Sequence, residues 1–329
     1  MKVLYIYRNH EMGYSIGKVF RPIENGMKRK CRVDSIEMPC YGYGIKSLYR
    51  NVRYVLKFLK THHYDIVHIT GTEHYLLPFL RRHKTIVTVH DLGFYTNSKK
   101  GFKQILKYLL WIKTLPMADH VSFISNKSKE EAEMFVNFSN SQVSVVYDPI
   151  GDEYVYMPKT INCANPIILH IGTNSHKNLG RTIEAINGLP CKLIIIGKIN
   201  DTYLKLLEKN NINFENKYNL TDNEILNEYI NSDIVNFPSL HEGFGMPIIE
   251  GQSIGRPVLT SNITPMKEIA GAGAVLVNPE EVEDIKKGYK KILADPYCYI
   301  KEGLKNVERF RLRKIVNQYF NIYEYLNKL

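Results

Sequence analysis

The stretch "IVNFPSLHEGFGMPIIEGQSIGRPVLTS" (residues 234–261) decides the fold, because it predicts a strand, a loop, a helix and a second strand. "IVNFPS" and "PVLTS" are short apolar runs with β-branched residues, which predicts buried strands. Between them "MPIIEGQSI" predicts a helix whose first turn tolerates Pro247. Strand, helix and strand in this order are typical of a parallel α/β sheet. The loop "LHEGFG" then lies at the carboxyl end of a strand.

The same alternation continues in both directions along the 329-residue chain, a length that favours two domains. It is interrupted at residues 148–166, "DPIGDEYVYMPKTINCANP", which contain three prolines and predict a linker. Strands are predicted at residues 2–7, 32–39, 64–70, 84–90, 119–125, 142–147, 167–172, 192–197, 234–239 and 257–261. Helices are predicted at residues 45–60, 102–117, 127–138, 179–187, 203–209, 222–231, 246–254 and 281–294.

The predicted fold class is therefore α/β, with two Rossmann-like parallel-sheet domains that face each other across a cleft. We place the first domain at residues 1–150 and the second at residues 151–310. Ligands of such sheets bind outside the carboxyl ends of the strands. Residues 311–329 predict a final helix with one buried face, which we expect to pack back on the first domain; its apolar positions are Leu312, Ile315, Tyr319, Ile322 and Leu326.

Composition excludes several classes of protein. Hydrophobic residues make up 44% and charged residues 23%, which is ordinary for a globular protein and argues against disorder. No apolar run approaches the roughly 20 residues of a membrane span, and the first apolar run ends at Arg8, too early for a signal peptide. A cytoplasmic location is expected. The five scattered cysteines lack a CxxC pair and indicate neither a disulfide framework nor a zinc site.

The formal net charge of +11 is confined to one half of the chain. Residues 1–150 contain 23 Lys and Arg against 12 Asp and Glu, whereas the remainder contains 21 of each. This asymmetry predicts an anionic partner for the first domain: a membrane surface, a nucleic acid or a phosphate-bearing substrate. A lysine-rich surface without a partner is the alternative. The basic residues fit no recognisable nucleic-acid motif, so a nucleic-acid partner is not expected.

The loop after residue 239 combines groups that suit a ligand with both anionic and hydroxylated parts. Gly243 and Gly245 allow backbone N–H groups to approach a ligand, and the following helix start favours anions. Glu242 and Glu250 are poor partners for phosphate, but Glu250 is an acceptor suited to vicinal hydroxyls. A nucleotide sugar has both parts. From spacing alone, a solvated loop carboxylate and an exposed helix residue remain equally good interpretations.

Several segments in order resemble the retaining GT-B-fold glycosyltransferases of family 4 (glycosyl transferases group 1). "HEGFGMPIIEGQSIGRPVLTS" is similar to their E-x7-E motif, and "ILHIGTNSHKNLGRTIEAI" to their "G-T-x-x-x-R-K-N-L" segment. "VTVHDLGFY" resembles the His-Asp-Leu segment of their N-terminal domain. "VVYDPI" resembles the segment in which their chain crosses into the second domain. "SNITPMKEIAGAGAVLVNP" resembles a further segment, although Met266 and Lys267 depart from its proline-glutamate order. The similarity covers most of the chain.

The resemblance implies a first domain that binds the acceptor and a second that binds a nucleotide sugar. Lys177 would bind the donor diphosphate, Glu250 the ribose, and Glu242 the donor sugar. His90 would lie near the transferring sugar; a histidine satisfied at a strand end is the alternative. The implied catalytic residues are His90, Lys177 and Glu242. The implied donor-binding residues are Gly172, Thr173, His176, Lys177, Arg181, Glu242, Gly243, Phe244, Gly245 and Glu250.

Two departures from the family pattern bear on these roles, and the family pattern also bears on metal binding. The family often has arginine before the lysine, where this chain has His176, so Arg181 or a protonated His176 is the candidate for the second cationic contact. Gly13 and Gly17 follow the first strand, where the family has a glycine-rich loop, but they also suit a simple turn. No DxD-like pair or ligand cluster is present in the sequence, and enzymes of this kind generally need no metal. Neither a cofactor nor a metal is therefore expected.

The expected reaction is transfer of a sugar from a nucleotide-sugar donor to an acceptor hydroxyl, with retention at the anomeric carbon. The expected acceptor is a glycan or a lipid-linked glycan, used in the assembly of cell-surface polysaccharide or glycolipid. Lipid-linked acceptors favour an anionic membrane surface as a second partner and a peripheral position at the inner face of the cell membrane. A catalytically degenerate GT-B protein that binds its ligand without turnover is the alternative. A retaining glycosidase is disfavoured, because its two carboxyl groups must lie about 5–5.5 Å apart across the scissile bond.

Overall fold

The computed structural model describes residues 1–12, 15–96, 101–138 and 143–329. The chain divides into two compact units. Unit 1 comprises Met1–Pro149 and Leu312–Leu329, and unit 2 comprises Ile150–Arg311. The strands are β1 (Lys2–Tyr7), β2 (Arg32–Glu37), β3 (Ile66–Ile69), β4 (Thr85–Val89), β5 (His120–Phe123), β6 (Val143–Val145), β7 (Ile167–Ile171), β8 (Lys192–Ile196), β9 (Phe214–Lys217), β10 (Ile234–Phe237), β11 (Val258–Ser261) and β12 (Ala274–Val277).

Helices alternate with these strands in both units. They are α1 (Ser15–Met27), α2 (Ile45–Thr61), α3 (Gly93–Thr96), α4 (Phe102–Lys107), α5 (Asn126–Glu133), α6 (Leu179–Ile186), α7 (Asp201–Lys209), α8 (Asp222–Asn231), α9 (Met246–Ile254), α10 (Met266–Ala270), α11 (Val282–Ala294), α12 (Pro296–Val307) and α13 (Leu312–Lys328). Short 3-10 turns and one π-helical turn, at Tyr108–Ile112, complete the pattern.

Each unit contains one six-stranded sheet in which every strand pair is parallel. The order is β2-β1-β3-β4-β5-β6 in unit 1 and β12-β11-β10-β7-β8-β9 in unit 2. Strands β3, β4, β5, β10 and β11 are buried along their whole length, as expected where helices cover both faces of a parallel sheet. The predicted α/β class with two Rossmann-like sheets is confirmed.

Helix α1 overturns the predicted glycine loop at Gly17, which lies in the first turn of this helix. Ile16, Phe20, Ile23 and Met27 recur at helical spacing and are all buried against the sheet, so burial of this face outweighs the helix-weakening glycines and Pro22. Gly13 lies outside the described residues.

The C-terminal helix α13 completes the core of unit 1. Ile315, Tyr319 and Tyr323 are buried in the same cluster as residues of β1 and α1. The Tyr323 hydroxyl lies 2.9 Å from the Tyr5 hydroxyl and 2.5 Å from His68 Nδ1, and His68 Nε2 lies 2.8 Å from Thr88 Oγ1. These hydrogen bonds satisfy buried polar groups and fix α13 against the sheet.

Two other predictions differ from the structure, and several elements were not predicted. The predicted helix over residues 102–117 is divided into α4, the π-helical turn and a 3-10 turn at Leu115–Met117. The predicted linker packs on unit 2: Tyr154 and Ile161 are buried, the Met157 N–H donates to the Ile254 carbonyl at 3.1 Å, and Ser253 Oγ donates to the Tyr154 carbonyl. Strands β9 and β12 and helices α10 and α12 were not predicted.

Candidate functional site

The candidate site of unit 2 lies at the point where the strand order reverses. The chain runs outward through β7, β8 and β9, then returns to β10 on the other side of β7. Loops at the carboxyl ends of β7 and β10 therefore diverge from adjacent strands and leave a crevice, where ligands of such sheets bind. The predicted donor-binding residues lie on these loops and on the helices that follow them.

The two loops are joined by backbone and side-chain hydrogen bonds. The Leu240 N–H donates to the His176 carbonyl at 2.7 Å. Asn178 Nδ2 donates to the carbonyls of Pro238, at 3.0 Å, and Pro279, at 2.6 Å. Asn178 is buried and left-handed (φ 64°), a conformation that asparagine tolerates better than most residues. Sequence reasoning gave Asn178 no role; its position after Lys177 in the motif was the available signal.

Lys177 and Glu242, predicted from separate motifs, form an ion pair. Lys177 Nζ lies 2.6 Å from Glu242 Oε1, both side chains are mostly buried, and the ammonium lies 4.7 Å from the centre of the Phe237 ring. Gly172 makes room for this lysine, because a Cβ atom there would lie 2.8 Å from Lys177 Cγ. Gly172 also has a φ of +93°, which a side chain rarely permits. The lack of a Cβ atom at Gly172 thus allows the Lys177 side chain to lie where it pairs with Glu242.

The other residues of the β7 loop surround this pair. Thr173 Oγ1 donates to the Lys198 carbonyl at 2.9 Å, and Arg181 Nη1 donates to Asn178 Oδ1 at 3.0 Å. Burial, with Lys177 nearby, lowers the pKa of His176. A protonated His176 is therefore disfavoured as the second cation, and Arg181 is the better candidate of the two.

Helix α9 begins at the β10 loop with the geometry that the glycines predict. Gly245 has a φ of +114°, and a Cβ atom there would lie 3.0 Å from Ile248 Cδ1. Gly243 is half-buried. Phe244 is buried and meets Phe310 edge to face, with ring centres 5.9 Å apart. The Phe244 side chain thus anchors the loop, and its backbone remains the part suited to ligand contact.

Glu250 lies one turn into α9 and is held by a neighbouring helix. Tyr229, on α8, donates its hydroxyl to Glu250 Oε2 at 2.5 Å. Tyr229 is fully buried, and burial raises its pKa well above the usual value, so it is a hydrogen-bond donor at neutral pH. This bond fixes one carboxylate oxygen of Glu250. Sequence reasoning missed Tyr229.

A buried polar network lies beneath the crevice. Asn236 Nδ2 lies 2.8 Å from His170 Nδ1, and Tyr289 donates its hydroxyl to Asn236 Oδ1 at 2.6 Å. Burial lowers the pKa of His170 to about 3, so this histidine is neutral. Asn236 also donates to Thr182 Oγ1 at 3.1 Å, which ties β10 to α6. The network holds β7 and β10 in place below the loops; no motif pointed to it.

In unit 1, His90 follows β4 at the carboxyl edge of the sheet. His90 Nε2 lies 2.9 Å from the Thr70 carbonyl, so this nitrogen carries the proton and donates, and burial lowers the pKa of the ring. Ser128 Oγ donates to the His90 carbonyl at 2.9 Å. The ring is therefore a neutral, oriented imidazole. This is the satisfied strand-end histidine of the alternative interpretation, and it is also compatible with a functional role.

Glu73 is a second polar residue at this edge that sequence reasoning missed. The strand order of unit 1 reverses between β1 and β3, and Glu73 follows β3. Its side chain is buried, and burial raises the carboxyl pKa to about 7, an effect partly opposed by Arg8 after β1.

The described residues contain neither a cluster of metal-binding side chains nor a helix that could span a membrane. Among residues 1–12, 15–96, 101–138 and 143–329, no group of three or more His, Cys, Asp or Glu side chains could hold a metal ion. Within the same ranges, no helix has the length and apolar character needed to cross a membrane.

Comparisons with known proteins agree with this geometry. Residues 19–154 match the model "Glycosyltransferase Family 4", and residues 158–310 match "Glycosyl transferases group 1". The sucrose-phosphate synthase of Thermosynechococcus elongatus superposes with a TM-score of 0.79 over 99% of both chains, at 17% identity. The fold is therefore GT-B. Because the two family models together account for most of the chain, we assign it to the GT-B-fold glycosyltransferases.

Curated relatives are about a quarter identical to this chain over the aligned residues. The serotype-specific mannosyltransferase WbdA of Escherichia coli is 26% identical over 245 residues, which are 66% of this chain and 30% of WbdA. The O-antigen chain mannosyltransferase RfbU of Salmonella typhimurium is 26% identical over 233 residues, 67% of this chain and 64% of RfbU. The chain thus spans less than a third of WbdA and somewhat under two thirds of RfbU.

Proposed function

We propose that this protein is a retaining glycosyltransferase that transfers a sugar from a nucleotide-sugar donor to an acceptor hydroxyl in the assembly of cell-surface polysaccharide or glycolipid. The observation that carries the proposal is the Lys177–Glu242 pair, at the strand-order reversal of unit 2 and between two loops that contain left-handed glycines. The names of the relatives WbdA and RfbU support mannose as the sugar.

The ion pair supports a specific way of binding the donor. One ammonium group cannot fully satisfy both a carboxylate and a diphosphate, and the diphosphate carries the greater charge. The donor diphosphate would therefore take Lys177 from Glu242, and Glu242 would become an acceptor for hydroxyls of the donor sugar. Lys177 would then oppose the negative charge that develops on the leaving diphosphate, where electrostatic stabilisation has most effect on rate.

Glu250 is proposed to hold the ribose. A carboxylate has about four lone-pair positions that can accept hydrogen bonds, and the Tyr229 hydroxyl takes one of them. Paired ribose hydroxyls suit such an acceptor. Arg181 is proposed as the second contact to the diphosphate, because the guanidinium is always charged and Asn178 holds it at the start of α6.

For transfer with retention, we propose that the departing diphosphate remains on the attacking face and accepts the proton of the acceptor hydroxyl. The protein then contributes positioning and charge stabilisation. His90 is proposed to contact the transferring sugar. Its proton lies on Nε2, which leaves Nδ1 of the neutral ring as a hydrogen-bond acceptor. No metal is invoked in this mechanism.

The acceptor is proposed to be a glycan or a lipid-linked glycan presented at an anionic membrane surface. The excess of positive charge in residues 1–150 supports this partner. The cations proposed to contribute lie in three segments of unit 1. The structure describes Lys28, Arg29, Lys30, Arg32, Arg50, Arg53, Lys57, Lys60, Lys103 and Lys107, whereas Lys99 and Lys100 lie outside the described residues. Peripheral attachment at the inner face of the cell membrane remains part of the proposal.

A donor panel tests the proposal. We expect one GDP-, UDP- or ADP-sugar to raise the melting temperature and to be hydrolysed slowly without acceptor. The released sugar should have the same anomeric configuration, α or β, as in the donor. Lys177→Ala should slow hydrolysis about 10²–10³-fold, whereas replacement of Lys205, an exposed lysine on α7, by Ala should not slow it. Donor binding without any hydrolysis or transfer would indicate the degenerate binding protein instead. Binding of no donor would overturn the proposal.

A further inference from the structure

A groove along helix α2 of unit 1 has no role in the site described above. It has a volume of about 800 Å³, within the range of small-molecule sites. One wall is formed by Leu48, Val52 and Leu56 of α2, and the other by Tyr75, Phe79 and Leu110. These six side chains give the groove an apolar floor.

Helix α2 therefore has two apolar stripes rather than one. Val55 and Leu59 are buried in the core of unit 1. The second stripe begins at Ile45 and Tyr49, which also line the groove and are 80% and 65% exposed. A helix needs only the first stripe to pack on its own sheet. The second stripe, and Phe79 opposite, leave apolar surface in water, a feature associated with binding sites.

The same groove has a rim that is purely cationic. Arg53, Lys57 and Lys60 line it, and Arg81 and Arg82 lie at its continuation beyond Phe79. Residues 38–64, 74–90 and 101–118, which supply the walls, contain no Asp or Glu. None of these five cations takes part in an ion pair among the described residues. An apolar floor with an uncompensated cationic rim complements a molecule with a hydrocarbon chain and an anionic head.

The surroundings of the groove favour a membrane lipid over an acidic peptide. Phe102, Ile105 and Leu109 project from the segment that supplies Leu110 and are 79%, 58% and 45% exposed. Lys103 and Lys107 are interspersed with them. A peptide would occupy the groove alone, whereas a bilayer surface would also cover these neighbouring apolar and cationic side chains.

We propose that the groove binds one hydrocarbon chain of an anionic membrane phospholipid, with the phosphate held by Arg53, Lys57 and Lys60. This deepens the membrane part of the proposed function and rests on it. Unlike a purely electrostatic contact, such a site would place the chain of the lipid against Leu56 and Phe79. Binding would then keep a component that salt does not remove.

Trp111 provides an internal probe, because it is the only tryptophan of the chain. It follows Leu110, and its ring meets Tyr75 with centres 5.6 Å apart. Vesicles of phosphatidylcholine with 30% phosphatidylglycerol, whose acyl chains carry bromine, should quench Trp111 fluorescence in a saturable manner. The same brominated chains on phosphatidylcholine alone should not quench it.

Variants test the two parts of the groove separately. The pair Ile45→Ser and Phe79→Ser should weaken the quenching about tenfold in lipid concentration. Tyr325→Ser is the matched control, because Tyr325 is 52% exposed, like Phe79 at 53%, and lies on α13. Replacing Arg53, Lys57 and Lys60 by Gln should weaken vesicle binding about a hundredfold at low salt. Circular dichroism should show that each variant is folded.

Three outcomes would overturn the proposal: vesicle binding without quenching, equal quenching by neutral and anionic vesicles, or unchanged quenching in the Ile45 and Phe79 variant. No quenching by vesicles, together with a saturable change in Trp111 fluorescence when an acidic peptide is added, would assign the groove to a protein partner. Donor-induced thermal shifts, measured on the same samples, keep the two proposals apart. A variant that loses lipid but keeps donor binding would leave the glycosyltransferase proposal intact.

Discussion

The two units of this protein have the same kind of sheet but organise their charges differently. In unit 2, the cation of the candidate site and some others are paired: Lys177 with Glu242, Lys159 with Asp233, and Lys217 with Glu215 and Glu228. In unit 1, Lys and Arg outnumber Asp and Glu by two to one; some are paired, such as Lys2 with Asp34 and Lys28 with Glu24, but those of the α2 groove have no acidic partner among the described residues. Unit 2 thus has charges at fixed positions, whereas the charge of unit 1 is spread over a surface.

The two arrangements of charge differ in which ligands they can recognise. A fixed ion pair in a crevice distinguishes one ligand from another, because a ligand must place a group of the right charge at the right position to replace one member of the pair. A surface of many cations distinguishes only anionic from neutral partners. Single substitutions in unit 2 should therefore have large effects, and single substitutions of surface cations in unit 1 small ones.

The largest effect is expected at Lys177. Lys177→Ala should lower kcat about 10²–10³-fold at saturating donor, because it removes the charge that opposes the leaving diphosphate. Steady-state kinetics with the donor found in the panel would measure this, with Lys205→Ala as the control. Unchanged turnover would remove Lys177 from the catalytic residues. It would also show that this fixed charge matters no more than a single surface cation.

Glu250→Ala should weaken donor binding by about 1.5–3 kcal/mol, or roughly 10- to 100-fold in Kd, because a charged acceptor for hydroxyls is lost. Isothermal titration with the nucleotide sugar provides the measurement. Tyr229→Phe should cause a smaller loss, since it only releases the carboxylate from one orientation. Equal donor affinity in Glu250→Ala and the parent protein would contradict the ribose role.

Asn178→Gly should destabilise unit 2 by about 1–3 kcal/mol, because two buried carbonyls lose their donor. Asn211→Gly is a matched control, since Asn211 is also left-handed (φ 50°) but exposed. Glycine relieves left-handed strain equally at both positions, so the difference between the two variants isolates the hydrogen bonds. Urea unfolding curves that coincide for the two variants would show that the loops do not depend on Asn178.

Unit 1 should respond to acid through His74. Burial lowers the pKa of His74 to about 4, against 6.5 in an unfolded chain. The neutral form is favoured in the fold, so its contribution to stability is complete above pH 6.5 and is lost as the pH falls towards 4. His74→Gln should reduce the slope of unfolding free energy in this window by about 1.4 kcal/mol per pH unit.

Urea unfolding between pH 4.5 and 7 would measure that slope. The neighbouring Glu73, whose pKa burial raises to about 7, acts in the opposite direction, but it is present in both proteins and cancels in the difference. Exposed His63→Gln serves as the control. Parallel curves for the parent protein and His74→Gln would refute the assignment.

The smallest effect is expected for one surface cation of unit 1. Arg50→Gln should weaken binding to anionic vesicles by about 1 kcal/mol, roughly fivefold, and the difference should shrink as salt rises. Co-sedimentation at 0.05 and 0.5 M salt would measure it. A loss as large as that of the three groove cations together would show that unit 1 also has a fixed site centred on Arg50.

The sequence predicted the sheets better than the details that make the site work. Apolar runs identified the buried strands, but β9 ("FENK") is a polar edge strand that exists because β8 offers it a partner. Helix α1 was hidden by Gly17 and Pro22, although Ile16, Phe20 and Ile23 repeat at helical spacing. Such cases depend on packing against residues far away in the chain, which local patterns do not contain.

The candidate site shows the same limit. Motifs placed Lys177 and Glu242 on neighbouring strand ends, but nothing in the sequence indicates that they form an ion pair across 65 positions. Tyr229 and Asn178 support the predicted residues without belonging to a recognisable chemical pattern. His90 was found from the motif, whereas the direction of its hydrogen bond to Thr70 depends on how β3 and β4 lie side by side.

Helix α13 also has a consequence for the order in which the chain matures on the ribosome. Tyr5 and Tyr323 are 318 positions apart, yet their hydroxyls share one buried hydrogen bond. Domains generally fold as they are synthesised, the N-terminal one first. Here all residues of unit 2 are synthesised before α13. The face of the first sheet that α13 covers therefore stays uncovered during that time. All of unit 2 is therefore synthesised before unit 1 is complete, and a chain truncated after residue 311 would contain the whole of unit 2 but an incomplete unit 1.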